Sequence, residues 1–252
     1  MFDNNKVNMF NHIHIEQIDS TNNELRRLIS HEPIDNFTML TAEYQTSGRG
    51  QVGNTWESEK GKNLLMSILM RPKQLDVRQQ YMLSMSLSVA VVRALRPIVN
   101  NVEIKWPNDI YVGNKKLGGI LIENMLKGIF IDYSIMGLGL NVNQTKFISD
   151  APNPVSIKNI TETDYSPQII AENIQSEIVL AVNKVDNQQF EQIRNEYMSV
   201  LYRNDMQYYS YKDDSGQFKA RIADVEPDGH IILIDQDNAH RRYTFKEVEF
   251  II

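Results

Sequence analysis

Hydrophobic and polar positions along the chain predict an α/β domain followed by a small all-β unit. Alternating or short apolar runs predict strands at HIHIEQI (12–18), FTMLTAEY (37–44) and NLLMSILM (63–70). Further strands follow between Val102 and Asn143, with Lys127-Gly128 as a hairpin turn. We expect an α/β domain in which a mixed β-sheet has flanking helices.

Helical patterns lie between these strands and after them. Thr21 and Glu24 have the spacing of a capping box, which predicts a short helix ending near Ser30. The segment from Asp76 to about Pro97 has apolar residues at helical spacing. Its Met82, Leu83 and Met85 are expected to fill the core. Pro167 begins a second long helix that we expect to end near Tyr202. The residues expected on its sheet-facing side are Ile169, Ile170, Ile174, Ile178 and Leu180.

The pattern changes near Asn204. Short alternating segments follow, MQYYSY, FKARIADV, HIILID and RRYTFKEVEFII, with polar turns such as Asp213–Gly216 and Pro227–Gly229 between them. This pattern is typical of a compact β-unit about the size of an SH3-like barrel. We therefore predict two domains, residues 1–203 and 204–252.

The segment Lys105–Glu123, KWPNDIYVGNKKLGGILIE, combines a rigid polar turn with a lysine beside glycines. Pro107 has a fixed φ and sets the angle at which the following polar residues leave the strand. Gly118 and Gly119 lack a Cβ and allow a ligand to approach the backbone. Lys116 is thereby predicted at the lip of an apolar slot that suits small anions. A simpler interpretation is a β-hairpin with solvated lysines.

A second polar segment, Gly48–Trp56, reads GRGQVGNTW. Ten of the twelve glycines fall between Gly48 and Gly139, which favours close approach of the backbone to a ligand over routine turns. The amides of such a loop can bind phosphate or carboxylate oxygens, and Arg49 adds a bidentate donor.

Composition narrows the classes of function. The 252 residues are 42% hydrophobic and can build a sizeable core, while the absence of cysteine excludes disulfides and thiolate catalysis. We see no signal peptide and no stretch near the roughly 18 apolar residues of a membrane span, so we expect a cytoplasmic protein. A net charge of −6 and a pI near 5.4 argue against nucleic-acid binding, and the scattered histidines argue against zinc.

These segments together resemble the biotin protein ligase family. The glycine loop resembles the family's GRGRxGRxW, and the second segment matches its KWPND and K-x-G-G-x-L-x-E signatures. Asp19–Asn22 resembles its first motif, and Gln45 stands three residues before the loop, as in the family. GLGLNVN at Gly137–Asn143 resembles GIGINVN. The resemblance covers residues 19 to 143 and implies the biotin–lipoate ligase fold, which is similar to class II synthetases, with an SH3-like C-terminal domain.

The resemblance implies a two-step reaction. Biotin and ATP form biotinyl-5′-AMP and pyrophosphate, and a lysine of a biotin carboxyl carrier protein, part of a biotin-dependent carboxylase, then takes the biotin. A carboxylate and a phosphate at about 4 Å repel by about 4 kcal/mol at an effective dielectric near 20, so cations must lie between them. Lys116 and Arg49 are the catalytic candidates for this role. Asp109 is a third catalytic candidate and would approach Mg²⁺ directly or through water.

By position in the matching motifs, the resemblance also implies two sets of ligand contacts. The biotin contacts would be Ser20, Thr21, Asn22, Gln45, Gly48, Arg49, Gly50, Lys116, Gly119, Leu121, Gly137 and Gly139. The ATP and adenylate contacts would be Arg49, Gly50, Gln51, Trp56, Lys105, Asn108, Lys116, Asn141 and Asn143. Ser20 and Thr21 could instead only cap the helix, and Trp106 is expected to pack in the core.

The chain departs from the family pattern in its glycine loop. Gln51, Val52 and Asn54 stand where many members have arginines, which leaves Arg49 as the only cation of the segment. The lost charge predicts weaker retention of the adenylate. The first predicted strand begins within about a dozen residues of Met1, so we expect no DNA-binding domain and no repressor activity.

Two alternatives stay open. A lipoate or octanoate ligase would share the fold, although the residues of the GRG…W loop and of the KWPND motif argue against it. A non-catalytic biotin- or carrier-binding module would lack turnover. The family resemblance allows a homodimer, which the sequence does not decide.

Overall fold

The computed structural model describes residues 11–51, 54–148 and 153–252. Among these residues, seven strands form one mixed sheet with the order β1-β2-β3-β7-β6-β5-β4. Its strands are β1 (His12–Ile18), β2 (Met39–Gln45), β3 (Leu64–Met70), β4 (Val102–Lys105), β5 (Asp109–Val112), β6 (Lys115–Lys127) and β7 (Phe130–Leu140). β1 runs parallel to β2, and the other neighbouring pairs are antiparallel.

Helices cover both faces of this sheet. They are α1 (Thr21–His31), α2 (Gln80–Leu95), α3 (Ile157–Thr161), α4 (Pro167–Asp186) and α5 (Phe190–Ser199). On one face, α1 packs Leu25 against Leu40, Leu69 and Ile135. On the other face, the larger core includes the predicted core residues Met82, Leu83 and Met85. Because both faces are covered, all residues of β3 are buried, as its apolar run predicts.

The predicted capping box at the start of α1 is wrong. The helix is preceded by Ser20 in extended conformation, and the Ser20 side chain makes no capping hydrogen bond. Gln45 Oε1 instead accepts a hydrogen bond of 2.7 Å from the backbone N–H of Thr21. A neighbouring strand therefore satisfies a free donor of the first helical turn, and the two hydroxyls of Ser20 and Thr21 are not used as caps.

The single long helix predicted from Pro167 to Tyr202 is also wrong. The chain turns at Asn187–Gln189, where Gln188 has a φ of +55°, and α5 then packs against α2. Lys184 and Arg93 hold Glu196 of α5 at 2.6 and 2.9 Å. Two positions predicted on the buried face of this helix are exposed, because α4 buries a narrower stripe of its surface than predicted. These are Ile169, 60% exposed, and Leu180, 53% exposed, whereas Ile170, Ile174 and Ile178 are buried.

A second antiparallel sheet has the order β11-β10-β9-β8-β12 and fits a small SH3-like domain. Its strands are β8 (Tyr209–Asp213), β9 (Gly216–Val225), β10 (Ile231–Asp235), β11 (His240–Tyr243) and β12 (Glu249–Phe250). All five begin after Asn204, near the predicted boundary. The predicted fold class is thus confirmed.

The two sheets meet through Trp106, which is buried as predicted and donates from Nε1 to the carbonyl of Gly229 at 3.0 Å. Gly229 has a φ of +96°, and a Cβ there would lie 2.9 Å from the ring of Tyr81. Only glycine adopts this positive φ and also leaves room for the Tyr81 ring without strain. Within the described residues, no helix has the length and apolar character needed to span a membrane.

Candidate active site

A cavity of about 690 Å³ lies where the predicted motifs converge on the first sheet. Side chains of the second sheet close one side of it. The predicted site residues that line it are Ser20, Thr21, Asn22, Gln45, Arg49, Gly50, Gln51, Trp56, Lys105, Asn108, Asp109, Lys116, Gly119, Leu121, Gly137 and Gly139. Predicted residues up to 119 positions apart in sequence, from Ser20 to Gly139, therefore share one site.

One end of the cavity is uncharged and its polar groups are already paired. Thr21 Oγ1 donates to Gln45 Oε1 at 3.0 Å. Ser67 Oγ lies 2.8 Å from Thr21 Oγ1 and 2.5 Å from Asn22 Oδ1. A Cβ on Gly137 would lie 2.5 Å from Asn22 Oδ1, so β7 has room for this amide only because it carries glycine there. The hydroxyls and amides present both donors and acceptors without a net charge.

Beside this end, Glu123 collects three donors. Asn22 Nδ2 donates to it at 2.7 Å, and the guanidinium groups of Arg26 and Arg49 lie at 2.9 and 3.0 Å. Partial burial raises the pKa of Glu123, but the hydrogen bonds from Asn22 and Arg26 and the charge of Arg49 outweigh it, so the net shift is downward. Arg49, the predicted catalytic arginine, is thus held by a carboxylate.

The other end of the cavity is cationic. Lys116 Nζ lies 2.7 Å from Asp109 Oδ1 and 6.0 Å from the centroid of the Trp56 ring. The antiparallel pairing of β5 and β6 brings this lysine and carboxylate together across neighbouring strands. Asn108 donates from Nδ2 to the carbonyl of Ile120 and ties the polar turn to β6. The interpretation of Lys116 as a solvated hairpin lysine is therefore wrong.

Trp56 forms a wall between the two ends. A Cβ on Gly139 would lie 2.4 Å from Trp56 Cε2, so the indole rests directly on the backbone of β7. At Gly119 a Cβ would lie 3.5 Å from the same ring, which is an ordinary contact. The indole Nε1 is buried and has no hydrogen-bond partner among the described residues. A flat ring with a free donor suits stacking and hydrogen bonding with a ligand.

Lys105 completes the cationic end. Its Nζ lies 5.1 Å from the ring centroid of Tyr111 and 5.2 Å from that of Phe250. Burial lowers the pKa of Lys105; the charge of Asp109 opposes this shift, and the charge of Lys116 adds to it. A cation in this setting gains by meeting an anionic ligand.

Three predicted site residues do not line the cavity as the structure describes it. Gly48 lies on the far side of the glycine loop, where a Cβ would meet the carbonyl of Trp56 at 2.6 Å. Asn141 Nδ2 donates to the carbonyl of Val155 at 3.1 Å. Asn143 exchanges hydrogen bonds of 2.8 and 3.0 Å with the backbone of Tyr165. The side-chain amides of Asn141 and Asn143 stabilise the chain that follows β7. Contact of these two residues with a nucleotide stays a prediction.

Sequence reasoning missed several single residues of the cavity, such as Thr55, Tyr111 and Asn153, and two further groups. Glu123 is part of the quoted motif K-x-G-G-x-L-x-E, and its position in the motif was the available signal. The second group comes from the C-terminal sheet and carried no recognisable sequence signal. Its members are Phe245, Lys246, Val248, Glu249, Phe250, Ile251 and Ile252. Val52 of the glycine loop lies outside the described residues.

The model of the biotin/lipoate A/B protein ligase family matches residues 14–141, the part of the chain that carries most of the cavity. The chain belongs to this family. The matched range contains the neutral end, the glycine loop, Lys116 and Asp109, so the family's signatures and the cavity coincide.

The relatives of this chain include two ligases, one of which has a name that specifies biotin. The chain is 31% identical over 137 residues to the bifunctional ligase/repressor BirA of Bacillus spizizenii, which is 54% of this chain and 42% of that protein. It is 33% identical over 135 residues to the biotin–[acetyl-CoA-carboxylase] ligase of Mycobacterium tuberculosis, 52% of this chain and 48% of that protein. The matches thus span less than half of these relatives' length.

A solved structure extends the similarity of fold to nearly the whole chain. The biotin protein ligase of Aquifex aeolicus in complex with biotin and ATP superposes with a TM-score of 0.77 at 24% identity. The match covers 95% of this chain and 97% of that one, so both sheets have counterparts there. At this identity the likeness establishes the fold.

Proposed function

We propose that this chain is an ATP-dependent biotin protein ligase. It would join biotin and ATP into biotinyl-5′-AMP and then transfer the biotinyl group to a lysine of a biotin carboxyl carrier protein. The observation that carries the proposal is the placement of a neutral hydrogen-bonding end and a cationic end within one cavity of about 690 Å³. Each end matches the chemistry of one substrate.

The neutral end fits the ureido head group of biotin. A ureido group needs acceptors for its two N–H groups and donors for its carbonyl, and it carries no charge. Thr21, Gln45 and Asn22 offer such groups on a hydrogen-bonded framework. Leu121 and the glycine backbone of β7 provide the apolar walls that the rest of the head requires.

The cationic end fits the reacting carboxylate and the polyphosphate. In the first step an oxygen of the biotin carboxylate attacks the α-phosphorus of ATP, the bond to the bridging oxygen breaks, and pyrophosphate leaves. Lys116 would stabilise the negative charge that develops at phosphorus, and Asp109 lies 2.7 Å from its ammonium. Arg49 would turn from Glu123 toward the same charge.

In the second step the amine of the carrier lysine attacks the acyl carbonyl of the adenylate, and AMP leaves with the electrons of the broken bond. The carrier ammonium must lose one proton before it can attack, and the new amide nitrogen loses a second proton after the attack. Asp109, the carboxylate beside Lys116, is the candidate acceptor of this second proton.

Magnesium would enter with ATP as part of the substrate. Asp109 and Glu249 are carboxylates of the cavity, and such a sparse set fits an ion held mainly by phosphate oxygens and water. The Aquifex aeolicus ligase was solved in complex with biotin and ATP, and we infer the same two ligands for this chain.

The test is intact-mass analysis of an apo biotin carboxyl carrier domain after incubation with the protein, ATP, Mg²⁺ and biotin. We expect a gain of one biotinyl group, its loss with Lys116→Ala, and its retention with the neighbouring exposed Lys115→Ala. A gain with lipoate alone would indicate the lipoate branch of the family. No gain with either acid, together with retained biotin binding, would indicate a binding module.

A further inference from the structure

Lys105 is a cation held by aromatic rings. Tyr111 and Phe250 lie 5.1 and 5.2 Å from its ammonium, and the described residues offer it no hydrogen-bond or ion-pair partner. Tyr111 belongs to β5 of the first sheet, whereas Phe250 belongs to β12 of the second. An ammonium between two ring faces is stabilised electrostatically and keeps its N–H donors free.

Phe250 is fixed from several sides. It is 8% exposed, and its ring lies 4.9 Å from that of Tyr211 in an edge-to-face arrangement. The next residue, Ile251, donates its N–H to the carbonyl of Ser210 at 3.1 Å. Arg203 Nη2 donates to the carbonyl of Ile251 at 2.9 Å. The ring beside Lys105 is therefore part of the second sheet.

The ammonium that these rings hold lies at the cationic end of the cavity. Lys105, Asp109 and Lys116 line the same side, and their charges are close enough to influence the pKa of Lys105. Asp109 is already paired with Lys116 at 2.7 Å. The charges of Asp109 and Glu249 also act on Lys105, but among the described residues neither carboxylate lies within ion-pair distance of its ammonium. A polyphosphate would be a direct anionic partner for it.

We propose that Phe250 is a positioning residue that holds the ammonium of Lys105 toward the polyphosphate of a nucleoside triphosphate. The second sheet then contributes to nucleotide binding through an aromatic ring that touches no substrate. This inference rests on the proposed function, because it takes the cationic end as the place where the triphosphate binds.

The first experiment is biotin-dependent exchange between ATP and pyrophosphate. Phe250→Leu removes the ring, so we expect the KM for ATP to rise about threefold to thirtyfold, the range of a partly to fully desolvated cation–π contact. The KM for biotin should stay unchanged, and Phe250→Tyr should restore the wild-type value. Phe218→Leu is the matched control, because Phe218 stacks with Tyr211 in the same sheet but faces Arg241. It should leave the KM for ATP unchanged.

A double-mutant cycle separates positioning from a general structural effect. Lys105→Met should raise the KM for ATP, and adding Phe250→Leu to it should produce no further rise, because the ring acts through the ammonium. Equal effects of Phe250→Leu in both backgrounds would overturn the proposal. So would an equal rise with Phe218→Leu.

A labelling measurement tests the same contact without activity. Acetylation of Lys105 by an amine-reactive ester, followed by peptide mass spectrometry, should be faster in Phe250→Leu than in wild type and unchanged in Phe218→Leu. An unchanged rate in Phe250→Leu would contradict the proposal. Wild-type protein without exchange activity would refute the proposed function, and the labelling rates would still decide whether Phe250 holds Lys105.

Discussion

The neutral end of the cavity and its cationic end differ in how far the protein itself satisfies their polar groups. Around Thr21 and Gln45, hydroxyls and amides bond one another at 2.5 to 3.0 Å. At the other end, two lysines share the neighbourhood of Asp109, and Lys105 has only aromatic partners among the described residues. The first end is ordered before a ligand arrives, while the second lacks the negative charge that a ligand would add.

The two ends also come from different parts of the chain. The neutral end is formed by α1 and strands in the middle of the first sheet, where the core fixes each side chain. The cationic end combines β4, β5 and β6 with the last residues of the second sheet. An uncharged group can be oriented within one sheet. At the cationic end an additional wall excludes water, which costs solvation of the lysines but strengthens their attraction to an anionic ligand. Five predictions test this division.

The largest expected effect is at the cationic end. Lys116→Ala should reduce the rate of biotin-dependent ATP–pyrophosphate exchange by about 10²- to 10³-fold, because a donor aimed at developing charge is lost. Biotin affinity measured by calorimetry should fall far less than the rate, since only the contact with the biotin carboxylate is lost and the neutral end stays intact. A comparable loss of biotin affinity would contradict the division into two ends.

The packing of the Trp56 ring, which forms the wall between the two ends, should be disrupted by a methyl group at Gly139 but not by one at Gly119. Gly139→Ala places a methyl group 2.4 Å from the Trp56 ring and should lower the free energy of unfolding by about 1–3 kcal/mol. Gly119→Ala has a nearest contact of 3.4 Å and serves as the control. Urea unfolding of both variants provides the measurement. Equal stability of the two would show that the indole moves aside freely.

At the neutral end, Thr21→Val removes the hydroxyl that donates to Gln45 and leaves that amide oxygen with one donor fewer. Gln45 Oε1 keeps its bond from the backbone N–H of Thr21, so the loss is that of one hydrogen bond, about 1 kcal/mol, and biotin affinity should fall about threefold to tenfold. The KM for ATP should not change. Thr161→Val, whose hydroxyl donates to a helix carbonyl far from the cavity, should bind biotin normally.

Retention of the adenylate should depend on the charge at Gln51, which lines the cavity. Gln51→Arg should slow the release of biotinyl-5′-AMP in stopped-flow experiments by about fivefold, in line with about 1 kcal/mol for one added charge contact that stays partly exposed to solvent. Gln51→Glu should accelerate the release. Equal rates in all three proteins would refute the hypothesis that the neutral loop weakens retention.

The smallest effect concerns Glu123 and pH. Its pKa is lower in the folded chain than the value of 4.5 for an unperturbed glutamate, so its ionised form stabilises the fold above that pH. This contribution should decline as the pH falls below 4.5 and should amount to about 1 kcal/mol or less, since Arg26 and Arg49 are partly exposed. Urea unfolding between pH 7 and pH 3 should therefore show a smaller loss in Glu123→Gln than in wild type. An equal loss in both would mean that Glu123 does not contribute.

Local patterns in the sequence predicted most of the elements. The apolar run of β3, the helical spacing of α2 and the alternation of the C-terminal strands are properties of a few neighbouring residues, and the structure confirms all three. The motif residues that line the cavity were also identified from their order along the chain. Side-chain periodicity and backbone restrictions are encoded locally, and for this reason the sequence reveals them.

Partners distant in sequence could not be predicted in this way. Thr21 looked like a helix cap because its spacing to Glu24 is local, yet its hydrogen-bond acceptor is Gln45 on a neighbouring strand. The helix after Pro167 looked continuous, yet it turns at Gln188 so that α5 can pack against α2. In both cases a tertiary contact prevailed over a local preference.

The sequence by itself determined the order of strands and helices and the cluster of glycines, lysine and carboxylate on which the site is built. Only the tertiary structure decided which partners these groups meet: Glu123 beside Arg49, and Phe250 beside Lys105 from a point 145 residues later in the chain. The physical reason is that these contacts depend on the register of the first sheet and on where the second sheet packs. Both are set by the burial of side chains far apart in sequence, which no local pattern records.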